Sequence, residues 1–282
     1  MRVHLIDGSV EMFRCFYGAP RAEDPLGREV GAVRGFLATM IALIRRQEAT
    51  HLAVAFDSVV APARGAASES DLLTSQFPLA ADACRALGVL IWPMVRFQAD
   101  DALATGAARY KDVEGVEQVV ICSTDNDFAQ CVEGTRVILL NRIRKVTTDE
   151  EVVREKFGVA PTSIPDWLAL VGDVSDGLPG IPGWGRKSAA AVLTAYPKLE
   201  DIPVDVADWT CNVRGAERLS ASLRDRWREA LLYRNLSILR TDVPLPDELH
   251  HLEWRGARRD LLPAFAAEIG AEEVLERITL WR

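Results

Sequence analysis

Short uninterrupted apolar runs recur through the first half of the chain, at residues 3–6, 52–56, 89–92, 119–122 and 137–140. Continuous runs of this length, rather than alternating ones, belong to strands buried on both faces, as in a parallel sheet. Between them, residues 33–46, 77–87 and 99–110 carry apolar positions at helical spacing. This alternation predicts right-handed crossovers and an α/β domain with helices on both faces. Residues 61–70 are rich in Ala, Ser and Gly and read as a surface loop. Beyond about residue 149 the strand signal fades. Residues 149–157, 163–171, 186–196 and 219–239 read as helices. The division expected is an α/β domain over 1–160 and a helical domain over 161–282, with the stretch 260–282 able to return to either.

Composition adds little until the acidic residues are located. The 282 residues are 49% hydrophobic and 26% charged, as in ordinary globular chains, and no internal repeat is evident. No run of 18 apolar residues is present, and the first residues lack a signal-peptide hydrophobic region. The cysteines Cys15, Cys84, Cys122, Cys131 and Cys211 are odd in number and scattered, with no C-x-x-C pair, which argues against a disulfide framework and a structural zinc site. Cys122 and Cys131 read as small buried hydrophobes. A protein of the reducing cytoplasm is expected. Asp and Glu number 41 against 33 Lys and Arg, a net charge of −8. An even spread of that charge would argue against a nucleic-acid partner. The spread is not even.

The first strand runs into Asp7, the second into Asp57, and the fourth into Ser123-Thr124-Asp125-Asn126-Asp127. The carboxyl ends of parallel strands form a ligand crevice, so three strands deliver four carboxylates to one edge. Asp100 and Asp101 open the helix that begins at Ala99. Singly, each is explained as an N-cap, a turn residue or a partner of the helix dipole. Together they repel by roughly 4 kcal/mol per close pair at an effective dielectric of about 20, so the set binds protons or cations. Magnesium or manganese, hard ions with oxygen ligands, suits it. Two such ions about 4 Å apart can activate a water and stabilise the leaving oxygen of a phosphodiester. Asp173 and Asp176 lie three apart, on one side of a helical turn or tight loop. Then comes Leu178-Pro179-Gly180-Ile181-Pro182-Gly183-Trp184-Gly185-Arg186-Lys187-Ser188. An ordinary helix–helix connection could have this form. Between an upstream Asp-x-x-Asp and a downstream Arg-Lys, it reads instead as a glycine hairpin offering backbone N–H groups to phosphate.

These segments resemble the 5′-nuclease superfamily, which includes the nuclease domain of bacterial DNA polymerase I, phage 5′-exonucleases and flap endonucleases. The matching stretches are Leu5-Ile6-Asp7-Gly8, Phe56-Asp57, Ala99-Asp100-Asp101, Thr124-Asp125-Asn126-Asp127, Gly172-Asp173-Val174-Ser175-Asp176 and the hairpin. The resemblance implies a parallel-sheet, PIN-like nuclease domain with a helix–three-turn–helix DNA-binding region. It implies hydrolysis of DNA near 5′ ends with two or three divalent ions, leaving a 5′-phosphate and a 3′-hydroxyl. Asp7, Asp57 and Asp100 would serve one metal cluster, with Asp101 beside it. Asp125, Asp127, Asp173 and Asp176 would serve the other. Gly180, Gly183, Gly185, Arg186, Lys187 and Ser188 would grip duplex backbone, with a potassium ion on the carbonyls of residues 180–185. Arg14 and Arg64 would contact the substrate. The implied partners are DNA with a 5′ flap, a nick or a free 5′ end, in the service of replication and repair. The chain would act alone as a monomer in the cytoplasm, at the nucleoid, without a membrane or a polymerase region.

Two departures stand out. Relatives usually carry Glu two residues before the first Asp of Ala-Asp-Asp; this chain has Gln98, one charge fewer at the first cluster. Relatives also follow the Asp57 position with a cationic helical arch. Here residues 65–76 contain no Lys, Arg or Tyr and include Glu69 and Asp71, so a weaker grip on single-stranded 5′ tails is expected. The alternatives are a catalytically impaired structure-selective DNA-binding protein and an RNA-cleaving relative. Retention of eight costly aspartates argues against the first, and the glycine hairpin against the second. Arg142-Ile143-Arg144-Lys145 reads as a solvated edge, and His4 and His51 as structural. His250 and His251 form a surface pair. The tryptophans Trp167, Trp209, Trp227 and Trp254 read as core. Trp184, at the hairpin tip, is the exception to that core reading.

Overall fold

The structure is a computed structural model that describes residues 1–46, 49–57 and 69–282. In chain order its elements are β1 (Arg2–Asp7), α1 (Gly8–Gly18), α2 (Gly31–Arg46), β2 (His51–Asp57), α3 (Glu69–Thr74), α4 (Phe77–Leu87), β3 (Leu90–Met94), α5 (Ala99–Tyr110) and β4 (Gln118–Cys122). There follow β5 (Val137–Asn141), β6 (Val146–Thr148), α6 (Glu150–Phe157), α7 (Ile164–Val171), α8 (Arg186–Ala195), α9 (Ala216–Asp225), α10 (Trp227–Ser237) and α11 (Leu262–Glu268). The chain forms two compact units, Met1–Thr124 with Arg240–Arg282, and Asp125–Leu239. The division expected near residue 160 therefore falls inside the second unit.

In the first unit β3, β2, β1 and β4 lie side by side in that order, all parallel. Central β1 is buried from Val3 to Asp7, which is why its sequence is a solid apolar run. Ile6 stands opposite Val54 on one side and Cys122 on the other, so Asp7, Asp57 and Ser123 emerge at one edge. Helix α2 contributes the fully buried Phe36, Leu37 and Met40 to the core. The stretch after residue 240 belongs to this unit. Arg258 N–H donates to Ala86 O at 2.9 Å, and Trp254 Nε1 donates to Leu87 O at 2.8 Å. Leu262, Phe265 and Ile269 are buried there.

In the second unit β5 and β6 are an antiparallel pair, with Leu139 opposite Thr148. Here the sequence reading needs correction, because residues 137–140 were expected among parallel strands alone and β6 was not anticipated. Three consecutive residues, each at least part-exposed, carry too little periodicity to announce a strand. The single helix expected over 219–239 is two, broken at Arg226 (φ −119°, ψ 28°). The expected surface loop over 61–70 lies outside the described residues up to 68, and Glu69 and Ser70 begin α3. Cys122 is buried as expected, whereas Cys131 is only partly so. Trp184 does not project from the hairpin. It is 7% exposed, and its Nε1 donates to Leu219 O at 3.1 Å.

Candidate functional site

In the first unit each strand-end aspartate is held by both oxygens. Asp7, 1% exposed, N-caps α1 by accepting from Val10 N–H (2.9 Å, Oδ1), and its Oδ2 accepts from Ser123 Oγ at 2.8 Å. Asp57 accepts from Ser9 Oγ (2.7 Å, Oδ2) and from Ala99 N–H (2.8 Å, Oδ1). Asp57 N–H returns a hydrogen bond to Ser9 Oγ at 3.1 Å. The bond to Ala99 ties the start of α5, and so Asp100 in its first turn, to the end of β2. Carboxylate oxygens keep lone pairs beyond those used here, so the two side chains are oriented without being saturated. Asp101 does different work. It accepts from Arg240 N–H at 2.9 Å and from Gln98 N–H at 3.4 Å, closing the N-terminus of α5. Gln98 is the exposed N-cap residue of that helix.

The second unit holds the densest charge. One carboxylate oxygen each from Asp125, Asp127 and Asp176 lies within 4.8 Å of the others, the only such trio of His, Cys, Asp or Glu side chains among the described residues. Asp127 begins a 3-10 turn after Asn126 and donates its N–H to Asp125 Oδ1 at 2.9 Å. Its own Oδ1 is buried with no hydrogen-bond partner. Burial, then Asp125, Asp176 and Asp173, push its carboxyl up to about 7. Asp176 is also raised, by burial and then by Asp125 and Asp173. Asp173 turns Oδ1 to Ser175, from both its N–H (2.9 Å) and its hydroxyl. A buried acceptor without a donor, among acids that resist ionising together, is what a divalent cation with oxygen ligands satisfies.

The loop carrying Asp173 and Asp176 is tight rather than helical, and two glycines close it. Leu178 N–H donates to Asp173 O at 2.7 Å, and Ile181 N–H donates to Leu170 O at 2.9 Å. Gly172 has φ +85° and Gly180 φ +70°. A Cβ on Gly172 would lie 2.6 Å from Leu178 O, and one on Gly180 would lie 2.6 Å from the Val171 carbonyl carbon. Gly180, expected to face DNA, is thus a backbone crossing beneath the acidic loop. Gly183 and Gly185 lead into α8, where Ser188 Oγ accepts from Gly185 N–H at 3.0 Å. An open groove is lined there by Gly183, Gly185, Arg186, Lys187, Ser188 and Arg214, with Asn212 beside them.

Other expected contacts are placed as follows. Arg14 donates to Glu11 (2.6 and 2.8 Å) and to Thr39 Oγ1 (2.8 Å), so it braces α1 against α2. Arg64 lies outside the described residues. Arg186 reaches the Lys156 carbonyl at 3.4 Å, and Lys156 Nζ donates to Asn126 Oδ1 at 2.8 Å. Ser9, Ser123, Lys156, Asn212 and Arg214 were missed by the sequence reading. Ser9 and Ser123 sit one or two residues from acidic motifs, a signal that could have found them. Arg214 carries none, since folding alone brings it beside Lys187.

Two family models match, described as 5′-3′ exonuclease, N-terminal resolvase-like domain over residues 2–158 and 5′-3′ exonuclease, C-terminal SAM fold over residues 159–260. DNA polymerase I of Bacillus caldotenax is 32% identical over 288 residues, covering 97% of this chain and 32% of the relative. DNA polymerase I of Mycobacterium tuberculosis is 35% identical over 268 residues, 89% of this chain and 29% of the relative. The chain therefore spans about a third of the length of these relatives. Among solved structures, the T5 D15 protein co-crystallised with metal ions is similar at a TM-score of 0.66 and 16% identity, covering 98% of this chain and 99% of that one. The catalytic core of Rad2 in complex with DNA substrate is similar at a TM-score of 0.63 and 14% identity, covering 98% and 90%. At such identities the likeness is one of fold.

Proposed function

The chain belongs to the 5′-3′ exonuclease family, a family of hydrolases, and from that premise we propose that it cleaves DNA phosphodiesters near 5′ ends with divalent ions held by its aspartates. The observation that carries this reading is the Asp125, Asp127 and Asp176 trio, with its buried unpartnered Oδ1. Magnesium or manganese, when bound, supplies the Lewis acidity and charge neutralisation that phosphodiester hydrolysis needs. The residues do the rest. Asp125, Asp127 and Asp176, with Asp173, hold ions in the second unit. Asp7, Asp57 and Asp100 hold them in the first, and the seryl hydroxyls of Ser9 and Ser123 fix the carboxylate planes. Asp101 closes the helix beneath them. The groove at the start of α8 takes duplex phosphates on backbone N–H groups, Arg186, Lys187 and Arg214, and carbonyls of residues 180–185 would hold a potassium ion that adds positive charge there. The substrates are DNA with a flap, a nick or a free 5′ end. Arg64 contacts the substrate, while residues 65–76, which lack Lys, Arg and Tyr, contribute little to threading. Gln98 leaves the first cluster one charge poorer, which lowers metal affinity there without abolishing cleavage.

The test is cleavage of labelled 5′-flap DNA, nicked DNA and RNA in magnesium or manganese, by the native chain and by Asp125→Asn. DNA should be cut and RNA spared, with activity lost in the variant. Cleavage that survives Asp125→Asn overturns the assignment of the aspartates.

A further inference from the structure

Two cations near the Asp125–Asp127 loop are mounted on aromatic rings rather than on carboxylates. Lys156 Nζ lies 4.8 Å from the Phe157 ring centroid, and the Arg186 guanidinium lies 5.4 Å from that of Trp167. The two rings pack edge to face, with centroids 5.1 Å apart. Among the described residues no carboxylate lies within ion-pair distance of Lys156, Arg186 or Arg144. Arg186 is the first residue of α8, whose N-terminal dipole adds positive potential. Arg144 lies in the turn between β5 and β6, with its N–H bound to Asn141 Oδ1 at 3.0 Å. Burial first, and then the charges of Arg186 and Arg144, pull the Lys156 ammonium below its ordinary value. Lys156 and Arg186, each lying over an aromatic ring and without an internal counter-ion among the described residues, are placed for an external anion.

We propose that Lys156, Arg186 and Arg144 form a phosphate seat for the DNA strand lying between the Asp125–Asp127 loop and the start of α8. This rests on the nuclease reading, and it adds Lys156 and Arg144, both outside the glycine hairpin, to the Arg186 that the hairpin groove already presents. The Lys156–Asn126 hydrogen bond ties the seat to the aspartate loop, so the phosphate it holds is set in register with the ion-binding trio. The chemistry is a single phosphodiester anion received by one ammonium and two guanidiniums.

The test does not depend on turnover. Binding of a labelled 5′-flap duplex to the full chain is measured without divalent ions as a function of salt. Lys156→Gln keeps a side chain able to hydrogen-bond Asn126 but removes the charge. It should weaken binding roughly tenfold and lower the slope of log affinity against log salt by about one. Lys156→Arg should restore both. Arg144→Ala, at an exposed turn position, should lower the slope without changing the melting temperature. Manganese uptake by calorimetry should be unchanged in all three. An unaltered salt slope in both Lys156→Gln and Arg144→Ala overturns the seat. So does a loss of manganese uptake in Lys156→Gln at unaltered slope, which makes Lys156 a support of the aspartate loop. Failure of the nuclease reading is separately visible, as absence of cleavage by the native chain.

Discussion

Asp127 concentrates the physics of this molecule in one side chain. Its carboxyl is raised to about 7 by burial and by its acidic neighbours, so without metal it holds a proton at mildly acidic pH. A group whose folded value is raised contributes stability below its unfolded value, near 4, and loses it as pH climbs toward the folded one. The metal-free chain should therefore show a melting temperature that falls between about pH 4 and 7. Asp127→Asn should flatten that fall, and divalent ions should restore stability at the upper end, where proton and ion no longer compete. A scan of melting temperature against pH, with and without manganese, checks this. An identical slope in the native chain and the Asp127→Asn variant would remove Asp127 as its source. That Asp127 mattered was legible from Asp125-Asn126-Asp127 after an apolar strand. That it, rather than Asp125, is the buried member was not, because a 3-10 turn and its packing decide which side chain points inward.

At the scale of elements, the acidic loop between α7 and α8 shows how a motif divides its labour. The sequence segment Gly-Asp-Val-Ser-Asp-Gly announced paired carboxylates. The two glycines that matter for its shape are Gly172 and Gly180, eight residues apart, each pressed on the backbone beside the other. Gly180→Ala forces a Cβ against the Val171 carbonyl carbon at positive φ, and should cost about 2 kcal/mol or more of stability. It should also reduce manganese uptake through the displaced Asp173 and Asp176, although Gly180 carries no ligand. Equilibrium urea unfolding and calorimetry on that variant measure both effects, and Gly177→Ala, whose Cβ would meet no atom within 4 Å, separates the φ penalty from the clash. Helix α5 teaches a related lesson. Asp100 and Asp101 are adjacent and chemically alike, but Asp101 is committed to Gln98 and Arg240 backbone N–H groups.

For the whole molecule, the decisive feature is the return of the chain to its first unit after residue 240. Residues 252–282 add Leu252, Leu262, Phe265, Ile269 and Val274 to the buried set, and Arg282 N–H closes on Ala257 O at 2.9 Å. A version ending at Arg255 loses most of these apolar side chains and leaves the Ala86 carbonyl without its donor. Each such side chain is worth about 1.5–3 kcal/mol on burial, so the first unit should unfold at much lower denaturant, with earlier amide exchange in α4 and β3. Hydrogen exchange resolved by segment checks this, and unchanged protection in α4 would show the return to be dispensable.

What the sequence determined by itself was local. The apolar runs of β1 to β4 pointed to a parallel sheet, and a parallel sheet presents its strand ends, with their aspartates, at one edge. The family motifs follow from spacing of a few residues. Tertiary structure decided everything that depends on residues distant in the chain: the burial of one Asp among several, the seryl hydroxyls aimed at Asp7 and Asp57, and the Lys156–Arg186 pair on its two rings. The reason is that hydrogen bonds and desolvation act over a few ångströms of space, whatever the separation along the chain, so no pattern of neighbours in sequence records them.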